Sequence, residues 1–189
     1  CWSRGVATIM ILGDTCTRNC AFCNVQTGRS GTCDADEPRR VADAIAEMKL
    51  TDIVITSVTR DDLPDGGAGI WADTIRLIRE AAPGICIEVL VPDFGGSEAQ
   101  LDQVLEVRPD VFGHNLEMVK SLYGRIRPAA NYDCSLNVLA RAHRRGFVTK
   151  TGIMLGIGET AEEVVSLFRD ARRVGCDILY IGQYLQPSR

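Results

Sequence analysis

The sequence predicts an α/β fold, a partial (β/α)6 TIM-like barrel of parallel strands. Three observations carry that reading. Short β-rich runs alternate with helical patterns along all 189 residues, with six strands in the series. Such alternation implies βαβ units, parallel pairing and right-handed crossovers. The chemically unusual residues fall, each time, just beyond the carboxyl end of a strand, which is the rim where (β/α) barrels build their sites. Composition is that of an ordinary globular chain, 46% hydrophobic and 24% charged, enough apolar material for a full core. Six strands instead of eight imply an incomplete or open barrel, and a doubly wound open sheet is the alternative. Residues 1–189 read as a single domain, with no linker, repeat or low-complexity stretch.

Taken in order, the strands are "ATIMIL" at 7–12, "DIVITSV" at 52–58, "ICIEVLV" at 85–91, "DVFGH" at 110–114, "KTGIMLG" at 150–156 and "CDILYIG" at 176–182. Helices are expected near 38–49, 70–82, 98–107, 132–145 and 161–174. In the first of these, Val41, Ile45 and Met48 recur at i, i+4 and i+7, one face of a helix. "SEAQ" (97–100) and "TAEE" (160–163) fit the capping box, in which a hydroxyl and an acid or amide satisfy free amides at a helix start.

The formal net charge is −4, with acids and bases interleaved. No basic patch of the kind nucleic-acid binders carry is evident, so no nucleic-acid partner is expected. No apolar run approaches the roughly 20 residues that span a bilayer, so no membrane partner is expected. The chain opens on Cys1 instead of Met and shows no signal-peptide pattern. It reads as a fragment truncated at both ends, cytoplasmic if bacterial, mitochondrial or plastid if eukaryotic.

Eight cysteines is a high count for this length. A disulfide framework suits small secreted chains that lack a core, and this chain is too long and too regularly patterned to need one. Cys86 and Cys176 lie in strand-like runs and Cys134 in a helical one, so all three are expected as buried small apolar residues. Cys33, in "GTCDADEP", has no assigned role. Cys16, Cys20 and Cys23 stand apart, spaced C-x3-C-x2-C in "GDTCTRNCAFC" after the first strand. Structural zinc wants four ligands in a closed tetrahedron, and this loop supplies three. A cubane [4Fe-4S] cluster, whose irons are normally held by four thiolates, fits three close cysteines if one iron takes a non-protein ligand.

The C-x3-C-x-aromatic-C motif after a first barrel strand resembles the radical S-adenosylmethionine superfamily. The strings "CWSRGVATIMILGDTCTRNCAFC", "TSVTRDDLPDGGA", "PDFGG", "HNLE", "RIRP", "MLGIGET" and "GQYLQPS", in this order along essentially the whole chain, resemble the lipoyl synthase family within it. The resemblance implies two sulfur insertions, at C6 and C8 of an octanoyl chain on a lysine of a lipoyl carrier domain. Cys16, Cys20 and Cys23 would hold the radical [4Fe-4S] cluster, whose open iron chelates S-adenosylmethionine. A flavodoxin or ferredoxin would donate the electron. Phe22 would pack near the nucleoside, Thr56 and Ser57 would hold the methionine amino group, Asn115 and Glu117 the ribose or methionine end, and Gln183 the nucleoside. Arg60, Asp61 and Asp62 line the same rim and are expected to fix the octanoyl-bearing loop or a cofactor carboxylate, with Arg127 and Lys150 as further candidates.

An auxiliary [4Fe-4S] cluster is implied as the sulfur source, with Cys1, followed by Trp2, as its one ligand in this chain. The family's other auxiliary-cluster ligands have no counterpart here. Gly113, Met118 and Thr151 also depart from the family's usual residues. Two alternatives remain at this point: a related sulfur-inserting enzyme of the biotin synthase kind, and a non-enzymatic domain in which the Cys16 loop holds zinc.

Overall fold

The computed structural model describes residues 5–187. Six strands form one all-parallel sheet: β1 (Val6–Ile11), β4 (Asp52–Ser57), β5 (Cys86–Leu90), β6 (Val111–Gly113), β7 (Val148–Leu155) and β8 (Ile178–Gln183), paired in that spatial order. Two short strands in the loop after β1, β2 (Thr15–Cys16) and β3 (Gln26–Thr27), make a separate parallel pair. The helices are α1 (Glu37–Met48), α2 (Ala68–Ala81), α3 (Glu98–Glu106), α4 (Tyr123–Ile126), α5 (Tyr132–Arg144) and α6 (Ala161–Arg173).

The strand order decides between the two expected architectures. A doubly wound sheet reverses its order at a switch point, which sends helices to both faces. Here the order never reverses, so right-handed crossovers place every helix on one side of the sheet. The result is an α/β partial barrel with a helix-covered outer face and an open inner face.

Burial follows from that geometry. In β4, Ile53 and Ile55 are buried while Val54 and Thr56 are not; in β5, Ile87 and Val89 alternate with Glu88 and Leu90. The buried set packs with Trp71, Ile75 and Ile78 of α2 and with Phe112 of β6 into one apolar core. A second cluster joins α4, α5, α6 and β7 around Leu116, Tyr132, Leu139 and Ile153. No helix among the described residues is long and apolar enough to cross a membrane.

The expected strands and main helices all form, with bounds shifted by one or two residues. Thr160 and Glu163 close a capping box at α6. Ser97 does not: its side chain makes no cap bond, and a tight turn at Phe94–Gly96 leads into α3 instead. The three cysteines expected to be buried are each partly exposed. Cys86 opens β5 at its amino end, Cys134 sits in the first turn of α5, and Cys176 precedes β8, so each lies where an element begins and packing is incomplete.

Gly67, at the start of α2, has φ +86°, and a Cβ there would lie 2.5 Å from Leu12 Cδ1. Leu12 is itself buried where β1 turns into the cysteine loop. Gly67→Ala is therefore expected to destabilise the protein by about 1–3 kcal/mol, read as a lower denaturant midpoint. An unchanged midpoint would show that Leu12 and the loop yield freely.

Candidate cofactor site at the strand ends

The cysteine loop leaves β1 through a left-handed turn at Leu12 (φ 67°) and Gly13 (φ 82°). Its course is fixed by backbone bonds. The Thr17 amide donates to the Thr59 carbonyl after β4 (3.0 Å), the Ala21 amide to the Ile126 carbonyl of α4 (2.9 Å), and the Gly28 amide to the Cys16 carbonyl (2.9 Å). Backbone amides also point at the sulfurs: Arg18 and Thr59 donate to Cys16 Sγ (3.5 and 3.4 Å), and Val25 donates to Cys23 Sγ (3.5 Å). Amide donors of this kind stabilise thiolate character and tune clusters bound through it.

One side chain does most of the anchoring. Arg18, inside the C-x3-C segment, forms two bidentate pairs. Its guanidinium donates to Asp61 (Nε 2.8 Å, Nη2 3.0 Å) and to Asp93 (Nη1 2.8 Å, Nη2 2.7 Å). Arg18 is 8% and Asp93 3% exposed at the side chain. Burial pushes the Asp93 carboxyl up, but the bonds and charge of Arg18 outweigh this and hold it below its ordinary range. The loop is thereby clamped to the ends of two strands, β4 through Asp61 and β5 through Asp93.

The loop faces a cleft bounded by the ends of β4, β5 and β6. Cys16, Cys20, Cys23 and Phe22 line one side; Thr56, Ser57, His114, Asn115, Glu117 and Arg127 line the other. Its open space is about 710 Å³ including the mouth, within the range of sites for small molecules. Of the five buried side-chain polar atoms without a partner among the described residues, three line this cleft: Ser57 Oγ, His114 Nε2 and Arg127 Nε. Arg127 is held by the Asn115 and Leu116 carbonyls and the Tyr123 hydroxyl, and lies beside Cys20. Burial raises the Cys20 thiol, with Arg127 opposing; burial likewise raises Glu117, again against Arg127.

The structure thus brings nine expected residues together: Cys16, Cys20, Cys23, Phe22, Thr56, Ser57, Asn115, Glu117 and Arg127. Five others do not line the cleft. Arg60 is buried and pairs with Asp62 (2.8 Å), while also donating to the Leu12 and Thr32 carbonyls. Asp62 accepts from the Gly31 amide, and Asp61 holds Arg18. These three charges brace the cysteine loop, and their partners are already within the chain. The Gln183 amide is exposed and donates to the Leu155 and Tyr184 carbonyls. Lys150 pairs with Glu88 (2.7 Å). Cys1 and Trp2 lie outside the described residues. Arg18, Asp93 and His114 join the site without any signal in local spacing, although they lie in the GDTCTRNCAFC, PDFGG and HNLE stretches.

Among the described residues, no three His, Cys, Asp or Glu side chains converge as ligands of a single ion. The donor set fits a cluster better than one ion: three thiols on one loop, amides aimed at two of the sulfurs, and unpartnered polar atoms across the cleft for a further ligand.

Residues 10–171 match the Radical SAM superfamily. The crystal structure of HydG, a maturase of the [FeFe]-hydrogenase, shares the fold at TM-score 0.75 and 16% identity, over 95% of this chain and 43% of that one. Lipoyl synthase of Bacteroides thetaiotaomicron is 54% identical over 188 residues, and that of Chlorobium chlorochromatii 51% over 190. Each match covers the whole of this chain, which spans about two thirds of those relatives, 67% and 65% of their lengths. The chain belongs to the radical S-adenosylmethionine superfamily and, within it, to the lipoyl synthase family.

Removing Arg18 should leave Asp93 as a buried carboxylate without a counter-charge, held only by the Gly95 amide. Arg18→Ala is expected to cost about 3–5 kcal/mol and to lower iron retention by the loop, measured by denaturant unfolding and metal content. The pH dependence should also change sign. In the wild type, Asp93 titrates below its unfolded value, so its contribution is present above about pH 4 and is lost as pH falls through the lower folded value. In the variant burial, opposed chiefly by the Gly95 amide bond to Asp93 (2.9 Å), should raise the group, so acidification below neutral should relieve the strain. A stability profile of unchanged slope would contradict the clamp.

Proposed function

We propose that this chain is the catalytic core of a lipoyl synthase, acting on an octanoyl chain carried by a lipoyl carrier domain and inserting sulfur at C6 and C8. The observation that carries the reading is the one cleft in which three loop cysteines face three unpartnered buried polar atoms. Cys16, Cys20 and Cys23 would hold a [4Fe-4S] cluster by three irons, and S-adenosylmethionine would complete it. Bound there, cluster and cofactor supply one-electron chemistry able to take hydrogen from unactivated carbon, which no side chain could deprotonate at accessible pKa.

The chain's own residues divide the remaining work. Arg127, cationic and beside Cys20, suits a carboxylate. Thr56 and Ser57, at the end of β4, would present hydroxyls to the amino group. Asn115 and Glu117 offer an amide and a carboxylate to hydroxyl groups of a sugar. Glu117 has φ 67°, and its backbone is locked to β7 by the hydrogen bond its N–H donates to the Gly152 carbonyl (2.9 Å), so its orientation is set by the sheet. Phe22 covers the loop side of the cleft and excludes water. The exposed edge at Cys23 is the natural approach for an electron donor such as a flavodoxin or ferredoxin. An auxiliary [4Fe-4S] cluster, with Cys1 as a ligand, would be the sulfur source.

Anaerobic purification and reconstitution should give roughly four iron and four acid-labile sulfide per radical cluster. Cys16→Ala, Cys20→Ala or Cys23→Ala should each abolish that cluster. Reduced protein should cleave S-adenosylmethionine, and with the auxiliary cluster complete it should convert an octanoylated carrier domain to the lipoyl form. Zinc alone, without sulfide, would refute the reading; cleavage without any lipoyl product from the completed protein would refute the substrate.

A further inference from the structure

Strand alternation decides what lines the inner face of the sheet. Ile53 and Ile55 of β4 and Ile87 and Val89 of β5 pack into the helix-side core, so Val54, Thr56, Glu88 and Leu90 face inward. In β7 the buried Thr149, Thr151 and Ile153 alternate with Lys150 and Gly152. An upper row of the inner face runs in register through Met10, Thr56, Leu90, Gly113 and Lys150, and the row beneath it holds Val54 and Glu88. Met10, Thr56 and Leu90 border the cysteine-loop cleft, and Met10 is 45% exposed. The cleft therefore continues downward onto a largely apolar strip of β1, β4 and β5.

One ion pair closes the strip. Lys150 reaches from β7 across β6 to β5, where its ammonium donates to both carboxylate oxygens of Glu88 (2.7 and 2.9 Å). Gly113, in register with Lys150 on the strand between them, puts no side chain in the way. The ammonium also stands 5.6 Å from the centre of the Tyr180 ring, whose hydroxyl donates to Asn115 Oδ1 (3.0 Å). Both charged side chains are largely withdrawn from solvent, Lys150 27% and Glu88 21% exposed. Glu88 lies two residues below the row that borders the cleft, a drop of about 6–7 Å along a parallel strand. Hydrocarbon fits to that depth. Going further means separating a bidentate, partly buried pair, which costs more than the burial of a methylene returns.

We propose that the Glu88–Lys150 pair is the end stop of an acyl slot and selects the length of the chain it accepts. This rests on the proposed function, and the test separates the two. Sulfur insertion at C6 and C8 must tell those carbons from like methylenes, so the chain has to be located by one of its ends. The carrier end hangs on a flexible lysine stem and locates it poorly. C8 is the terminal carbon, so a stop for the methyl end fixes both reacting positions at once.

The probes are peptides carrying one lysine acylated with a hexanoyl, octanoyl or decanoyl group, titrated into the cluster-loaded protein. The wild type should bind decanoyl no tighter than octanoyl. With Glu88→Ala and Lys150→Ala together, decanoyl should bind about tenfold tighter than octanoyl, the gain from two further buried methylenes. Val54→Phe leaves the pair intact and fills the slot beside it, so octanoyl should there lose its roughly tenfold advantage over hexanoyl. A pair that only braced the sheet would not shift length preference in opposite directions. Iron content shows whether each variant has kept the cysteine loop. A wild type that already binds decanoyl tenfold tighter overturns the proposal. So does a length ratio left unmoved by either variant that retains its iron. If the wild type binds no acylated peptide, the functional reading fails and the slot with it.

Discussion

The double ion pair of Arg18 with Asp61 and Asp93 is the constraint on which the site depends. A loop that must hold three thiolates in fixed relation cannot rely on its own backbone, since a segment of this length has many conformations and few internal bonds. Arg18 lies between Cys16 and Cys20, so wherever the guanidinium is fixed, both cysteines are fixed within a few bonds. The planar fork matches two carboxylates at once, a geometry lysine cannot reproduce. Because Asp61 follows β4 and Asp93 follows β5, the loop takes its position from two adjacent hydrogen-bonded strands of the sheet. The second brace, Arg60 with Asp62 and the Leu12 and Thr32 carbonyls, fixes where the loop enters and leaves.

What this leaves open is as informative as what it closes. The charges of the "RDD" and "PD" motifs are satisfied within the protein, while Ser57, His114 and Arg127 across the cleft are not. Buried polar groups without partners weaken a fold unless something supplies the missing bonds. The protein therefore keeps tight networks under the cysteine loop and places three of the five unsatisfied atoms among the described residues where a polar cofactor would meet them. Pre-formed donors and acceptors of this kind bind without further ordering of the chain.

Much of this was legible in the sequence, for identifiable reasons. Strand and helix periods differ, so the βα alternation could be read directly, and the cysteine spacing is local, so the loop announced itself. Motifs placed just past strand ends had to share one rim once the strands were parallel, which is why Thr56, Ser57, Asn115 and Glu117 meet. The pairing of Arg18 with residues 43 and 75 positions away leaves no trace in local spacing. Arg60, Asp61 and Asp62 were read as facing a ligand because a sequence shows charge but not burial. Gln183 lies at the last residue of the edge strand, where its amide turns back to the Leu155 and Tyr184 carbonyls, a local pairing that spacing does not show.

The central claim is that the clamp orders the cysteine loop before any cluster is bound. Amide hydrogen exchange in the metal-free protein tests it most directly. Thr17, Ala21 and Gly28, whose amides donate to Thr59, Ile126 and Cys16, should exchange slowly, with protection well above that of the exposed residues 32–35. Exchange of all three at the rate of an unstructured segment, becoming slow only once iron and sulfide are loaded, would show that the cluster builds the loop and would contradict the account.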